Sequence, residues 1–333
     1  MPEEFLVVVI KIAVLAFIII TAVAYVQFVE RRVMAFMQAR LGPNRVGPLG
    51  LLQPLADILK LIFKEDMTPA GADVPVYFLA PALAAIVAIA AFAVIPFGSS
   101  ISVLGYRVNL YVADINVGLL YVFAMSSLAV YGVTLAGWSS NNKYSLLGGI
   151  RSSAQMISYE LPLGLALVSV LLLAGSLSLV DIVRAQSGLW FIVLQPLGFI
   201  IYFICAVAET NRAPFDLPEA ESELIAGYHT EYSSMKWALF FLAEYIAVMV
   251  QSAVAITLYF GGWNGPFVNE FPLLGILWFV LKLTLFILVF TWMRATLPRL
   301  RYDQLMRFGW KVLMPLAVLN LIVTAGLVAV IGS

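Results

Sequence analysis

The chain is poor in the side chains that do most chemistry. Its 333 residues contain one cysteine, Cys205, inside an apolar run, and one histidine, His229. A single thiol excludes an internal disulfide and any cysteine-held zinc or iron–sulfur centre. A single imidazole excludes haem held by paired histidines and multi-histidine metal sites. Any redox cofactor is therefore expected on another polypeptide, with no iron–sulfur cluster, haem or histidine-held metal on this one. Charge is scarce as well: Lys plus Arg and Asp plus Glu number 19 each, charged residues make up 11%, and the net charge is zero. Without a basic excess, nucleic acid is not an expected partner.

What fills the chain instead is hydrocarbon. Hydrophobic residues are 62% of the sequence and the mean hydropathy is +0.99, too apolar for a soluble surface. The apolar runs last about 20 residues without the two-residue alternation of a barrel strand, so the fold class expected is all-α, a polytopic membrane protein. Eight spans are expected, at 5–28, 76–97, 115–136, 154–180, 189–208, 237–260, 273–292 and 312–331, in one integral domain, 1–333. The start, MPEEF, is acidic and the run after it is long enough to span, so no cleavable signal peptide is expected. The odd-numbered connections hold fifteen of the nineteen Lys and Arg. By the positive-inside rule they face the cytoplasm, and both termini face the periplasm.

The connections have character of their own. After a turn-rich Gly42-Pro43-Asn44-Arg45-Val46-Gly47-Pro48, the residues Leu51, Leu52, Leu55, Ile58, Leu59, Ile62 and Phe63 recur at helical spacing, with Asp57, Lys60 and Lys64 on the other side. That pattern predicts an interfacial amphipathic helix. On the opposite side, 100–112 alternates partly and predicts a short hairpin. The long connection between spans five and six is acidic: Glu209, Asp216, Glu219, Glu221, Glu223 and Glu231 surround a single Arg212. Asp216, Glu219 and Glu223 have the spacing of one face of a short helix after Pro214 and Pro218. Close like charges raise one another's proton affinity, which makes such a group a proton buffer, although a solvated loop would carry the same residues. Arg212, three residues after Glu209, is a candidate partner for it, and His229 is set aside as incidental.

Ionisable groups within the bilayer are costly and each needs a reason. Glu160, followed by Pro162, is expected about two turns into span four, Glu244 about two turns into span six, and Lys282 near the middle of span seven. Glu160 and Glu244 are candidate proton-exchanging carboxyls; a structural Glu244–Lys282 pair is the competing expectation. The Arg31, Arg32 pair after span one and Arg294, Arg299, Arg301 after span seven are either topology signals or the rim of an opening to the bilayer.

Three stretches resemble one family closely: ERRVMAFMQARLGPNRVGPLGLLQPLADILKLIFKED at 30–66, ADINVGLLYVFAMSSLAVYGVTLAGWSSNNKYSLLGGIRSSAQMISYELPLG at 113–164, and AETNRAPFDLPEAESELIAGYHTEYSSMKWALFFLAEY at 208–245. They are similar to the H-subunit family of respiratory complex I, NADH-quinone oxidoreductase, known in mitochondria as the NADH dehydrogenase subunit 1 family, over nearly the whole chain. The resemblance implies a membrane-arm component of a proton-translocating NADH:quinone oxidoreductase, more in keeping with a bacterial inner membrane than a mitochondrial one. Its substrate would be a quinone, ubiquinone or menaquinone. Its partners would be the quinone-site subunits of the redox arm and the small and antiporter-like membrane subunits. Carried over by motif, Arg31, Arg32, Asp57, Arg294 and Arg299 would rim a quinone chamber. Arg212, Phe215, Asp216, Glu219, Glu221 and Glu223 would line it, and Glu160, Glu209 and Glu244, with Lys282, would begin the proton-coupling path. One departure stands out: span three, which carries a further carboxylate in some relatives, offers only Ser126 and Ser127 here. The alternatives are the equivalent subunit of a membrane-bound hydrogenase or ferredoxin-linked complex, and a self-sufficient ion-coupled transporter. The transporter is disfavoured because no inverted repeat is visible.

Overall fold

The computed structural model describes residues 2–103, 106–216, 225–268 and 270–331. The chain opens with one unbroken 36-residue helix, α1 (Pro2–Met37). At 1.5 Å per residue it is about 54 Å long, well beyond a bilayer's hydrocarbon core. The first apolar run was expected to stop at residue 28, but no Gly or Pro interrupts it before Gly42, and the helix continues through Glu30, Arg31 and Arg32. The amphipathic stretch forms α2 (Gln53–Phe63), with Pro54 buried and Leu55, Ile58, Leu59, Ile62 and Phe63 exposed.

Next come α3 (Val74–Ala91), a hairpin of β1 (Ser100–Val103) and β2 (Tyr106–Asn109), and α4 (Gly118–Ser139). The two strands pair antiparallel from Ser100 with Asn109 to Val103 with Tyr106, where the partial alternation placed them. α3 and α4 pack closely where Ala84 meets Gly132, with Ala80, Val133 and Ala136 buried in the same cluster. Where lipid is as apolar as leucine, close van der Waals approach rather than hydrophobic burial drives such contacts.

The fourth apolar run is α5 (Lys143–Ala174), started by the Asn142 side chain, which accepts from the Tyr144 N–H at 2.9 Å, and stopped by Gly175 in the left-handed region. It begins eleven residues before the expected position 154. Glu160 is therefore the eighteenth of its 32 residues, near mid-helix rather than two turns in. After a short α6 (Leu179–Ala185), the expected fifth span is broken in two. A single turn, α7 (Phe191–Leu194), is followed by α8 (Pro196–Glu209), with Gln195 non-helical between them. Pro196 has no N–H to continue the helix from α7, which accounts for the break.

The last long elements are α9 (Ser234–Tyr259), α10 (Leu273–Thr296), α11 (Tyr302–Phe308) and α12 (Met314–Ile331). A π-turn at Gly309–Leu313 joins α11 to α12 without interruption, so the final helix starts ten residues before position 312. Among the described residues, seven helices are long and apolar enough to cross a membrane, and the 14-residue α8 is a shorter apolar one. α9 is the most enclosed of them, packed against α1, α3, α8 and α10, whereas α1 and α12 are the least buried among the described residues.

Candidate functional site

A charged cluster lies where α1, α9, α10 and the end of α8 meet. Glu30, on α1, is buried and bonds to Arg294 of α10 and, at 3.3 Å, to Arg212. Arg212 bonds in turn to Glu244 of α9 at 2.9 Å and lies 4.2 Å from the centre of the Tyr245 ring. Two carboxylates and two guanidiniums balance in charge, which is how buried ions are tolerated. Burial works against the charge of Arg212, but Glu244 and Glu30 outweigh it and raise its pKa further above the ordinary arginine value. A cavity of about 10 Å³, the size of one water, is left between Glu30, Arg212, Tyr245 and Arg294.

This arrangement differs from two expectations. Arg212 does not turn back to Glu209; it reaches across to α1 and α9 because the chain reverses after α8, with Arg212 N–H bonded to the Val207 carbonyl at 3.3 Å. Lys282 does not pair with Glu244. Its ammonium donates to the carbonyls of Phe260, Gly262 and Asn264 at 2.7, 2.8 and 2.7 Å.

Glu244 also faces a second space. A cavity of about 90 Å³, room for several waters, is bounded by α3, α4, α8 and α9, with mostly apolar walls. Its polar side chains are Ser126, Glu209, Thr210, Asn211, Tyr228, Glu244 and Gln251. Glu209 is buried, Ser126 and Gln251 stand beside its carboxyl group, and its Oε2 has no hydrogen-bond partner among the described residues. One residue along α4, Ser127 donates to Glu160 of α5. Adjacent serines thus face the two carboxyls: Ser126 toward Glu209 and Ser127 toward Glu160. From α10 inward, the sequence of polar groups is Arg294, Glu30, Arg212, Glu244, cavity, Glu209, serine pair, Glu160.

The acidic connection is fixed at both ends. Upstream, the buried Gln155 amide donates to the carbonyls of Ala208 and Phe215, each at 2.8 Å, and Phe215 packs its ring 5.5 Å from Tyr159. The segment carrying Arg299 docks alongside, with Leu300 N–H on the Pro214 carbonyl at 3.0 Å. Asp216 is half-buried close to Glu244. Downstream, Tyr77 and Tyr232 stack at 4.1 Å; the Tyr77 hydroxyl donates to the Glu231 carbonyl and the Tyr232 hydroxyl to the Tyr77 carbonyl. Burial pushes the Tyr232 phenol up to about 12 and His229 down to about 4, so both are uncharged at neutral pH. Glu219, Glu221 and Glu223 lie outside the described residues. On the outer side, Arg31 is ion-paired with Asp57 of α2, which also accepts from Gln53 at 2.9 Å, and Arg32 lies over the Phe28 ring.

Sequence reasoning missed Glu30 as the hub of the charged cluster, together with Gln155 and Gln251. The signal for Glu30 was present: a helix with no breaker before Gly42 carries it inward with Arg31 and Arg32. Nothing in the spacing marked the two glutamines, whose partners are 49 or more residues distant.

Comparison with known proteins decides the family. The family model described as NADH dehydrogenase matches residues 10–325. The chain belongs to the NADH dehydrogenase family. A protein of Geobacter metallireducens, named as the first H subunit of NADH-quinone oxidoreductase, is 59% identical over 314 residues, 94% of each chain. The NADH-quinone oxidoreductase H subunit of Protochlamydia amoebophila is 59% identical over 305 residues, 92% of each. The protein of that name in Thermomicrobium roseum is 53% identical over 325 residues, covering 95% of this chain and 94% of its own. The match to the NADH dehydrogenase family model runs from within α1 to within α12.

Proposed function

We propose that the chain is the H subunit in the membrane arm of a proton-translocating NADH:quinone oxidoreductase, respiratory complex I, and that it converts quinone chemistry into proton movement. The observation that carries this reading is the series of buried and half-buried charged groups from Arg294 to Glu160, bridged by the cavity between Glu244 and Glu209 and by the serine pair before Glu160. No side chain in it is a redox centre; each is a group that holds or passes a proton or fixes a neighbour's charge. Flavin and iron–sulfur chemistry then belongs to the partner subunits, and quinone is the substrate met at this chain's cytoplasmic end.

In this reading Arg31, Arg32, Asp57, Arg294 and Arg299 rim the chamber that receives the quinone head, between α1, α2 and α10. Arg212, Phe215 and Asp216, with Glu219, Glu221 and Glu223, form its inner wall. Reduction of the quinone draws two protons from the chamber and leaves the acidic wall more negative. Arg212 is the group that feels this change first, because it is shared between Glu30 and Glu244. Any weakening of its hold on Glu244 favours proton uptake by that carboxyl, which faces the hydrated cavity. The cavity's waters connect Glu244 to Glu209, and the two serines hand the proton on toward Glu160 at the α4–α5 face. There the antiporter-like and small membrane subunits are the expected acceptors. A serine hydroxyl can pass a proton without holding a charge, so the pair serves as a relay where some relatives have a carboxylate.

The same reading places the chain in a bacterial inner membrane with eight passes, the α7–α8 pair being the fifth, α2 lying at the interface and both termini periplasmic. The test is Glu160→Gln in the assembled complex, with NADH-driven proton uptake into vesicles measured alongside quinone reduction. Reduction that continues with fewer protons moved per NADH is the expected result. Unchanged pumping with intact assembly would remove Glu160 from the path.

A further inference from the structure

Lys282 is a buried cation within the apolar helix α10, and the proton path described above does not use it. All three of its N–H bonds are donated to backbone carbonyls, Phe260, Gly262 and Asn264, at 2.7 to 2.8 Å, and the Trp190 ring lies 4.6 Å from its Nζ. Carbonyl oxygens only accept, and an indole face takes no proton. The ammonium therefore has no base among these neighbours to receive its proton, and a lysine that gave one up would leave a carbonyl without a donor. The turn it holds is unusual in its backbone: Gly261 and Gly262 both have positive φ, and a Cβ on Gly262 would lie 2.5 Å from Val183. Buried Gln186 fixes the same turn from the other side, accepting from the N–H groups of Gly261 and Phe191 and donating to the Thr257 carbonyl. Asn264 adds a bond to the Val183 carbonyl at 2.9 Å.

Three carbonyl oxygens converging on one point at these distances, closed by an aromatic face, form a coordination shell for a monovalent cation of ammonium size. We infer that the 260–264 turn, with Trp190, is a cation socket that the chain fills with its own Lys282, and that Lys282 is a positioning residue with a fixed charge rather than a proton carrier. The socket ties α9, α10 and the segment leading into the broken fifth helix to one another. Once vacated by truncation of the lysine, it takes a free ammonium or methylammonium ion. This inference uses no step of the coupling reading, and its test separates the two.

The experiment is Lys282→Ala in the whole complex, with cells grown and membranes prepared in ammonium chloride, methylammonium chloride or choline chloride at equal ionic strength. In choline the yield of assembled, quinone-reducing complex is expected to fall about tenfold or more, the consequence of leaving a buried carbonyl group without a partner. Ammonium or methylammonium restores it, the wild type responds to neither, and the restored complex moves the wild-type number of protons per NADH. Lys282→Met in choline matches the unrescued alanine variant. The inference is overturned by loss that ammonium does not restore, even when present during growth, by recovery in choline as good as in ammonium, or by an alanine variant that assembles and works normally without any added cation. A restored complex that reduces quinone but pumps fewer protons would return Lys282 to the proton path and equally overturn its role as a fixed charge.

Discussion

Arg212 is the group on which the charged cluster turns, and its replacement by methionine is the sharpest test of how the cluster is built. Its side chain is 6% exposed and serves Glu30 at 3.3 Å and Glu244 at 2.9 Å while stacking on Tyr245. In Arg212→Met the four-charge cluster passes from neutral to one net negative charge. Glu30 keeps Arg294, so the uncompensated carboxylate is Glu244. Removing one member of a buried ion pair costs about 3–5 kcal/mol, and the lost ring contact adds about 0.5–2 kcal/mol. A loss of that size is comparable to a domain's whole margin of stability, so the single variant is expected to accumulate poorly. Glu244→Gln in the same chain returns the cluster to neutrality. The double variant should therefore recover about 2 kcal/mol relative to the sum of the two single effects, within the range found for directly coupled residues. The assay is the abundance of assembled complex in membranes, together with the temperature at which NADH:quinone reductase activity is lost, for the wild type, both singles and the double. Additive losses in the double, or an Arg212→Met chain that accumulates and survives heating like the wild type, would refute the idea that Arg212 and Glu244 form a mutually dependent pair.

Other outcomes follow from single contacts. Ser127→Ala removes the donor to Glu160 without altering backbone structure, and should lower protons moved per NADH while sparing quinone reduction; equal losses of both would point to a folding effect. Gly148→Ala would drive a Cβ to within 2.7–2.8 Å of the Tyr228 N and Gly227 backbone atoms. Backbone at that distance has to shift, so the downstream anchor of the acidic connection should loosen, seen as faster protease cleavage between residues 217 and 231. His229 has its pKa lowered from 6.5 to about 4 by burial, so the folded state prefers the neutral ring. The stability this gives is fully present above pH 6.5 and is lost as pH falls toward 4. The heat resistance of the complex should decline over that window, and His229→Asn should show a shallower decline; an unchanged slope would mean the imidazole is not what titrates.

Much of the fold was legible because hydrophobic runs of bilayer length have few other uses. The ends were harder. The polar stretch of 143–153 reads as a loop, yet Asn142 caps a helix there and carries it through Glu160, a local hydrogen bond that no hydropathy average records. The division of the fifth span at Gln195 was hidden in the same way, although Pro196 was its visible cause. In the site, Glu160, Glu209 and Glu244 stood out because a carboxyl in an apolar run is costly. Their partners did not. Sequence proximity suggested Glu209 for Arg212 and apolar surroundings suggested Glu244 for Lys282, whereas the folded chain brings Glu30, 182 residues from Arg212, to the guanidinium. Nor does composition show that three carbonyls of a glycine turn converge on Lys282.

The continuity of α1 has a mechanical consequence. Residues 30 and 31 follow one another around the helix at a step of about 100°, and each is held by a different neighbour: Glu30 by the Arg212 and Arg294 guanidiniums, and Arg31 by the α2 carboxylate of Asp57. A helix is stiff about and along its axis, so these moorings cannot be adjusted one at a time. Rotation or sliding of α1 that relaxed its grip on α2 would displace Glu30 in the same stroke, turning a disturbance at the protein's rim into a change at the centre of its charge balance.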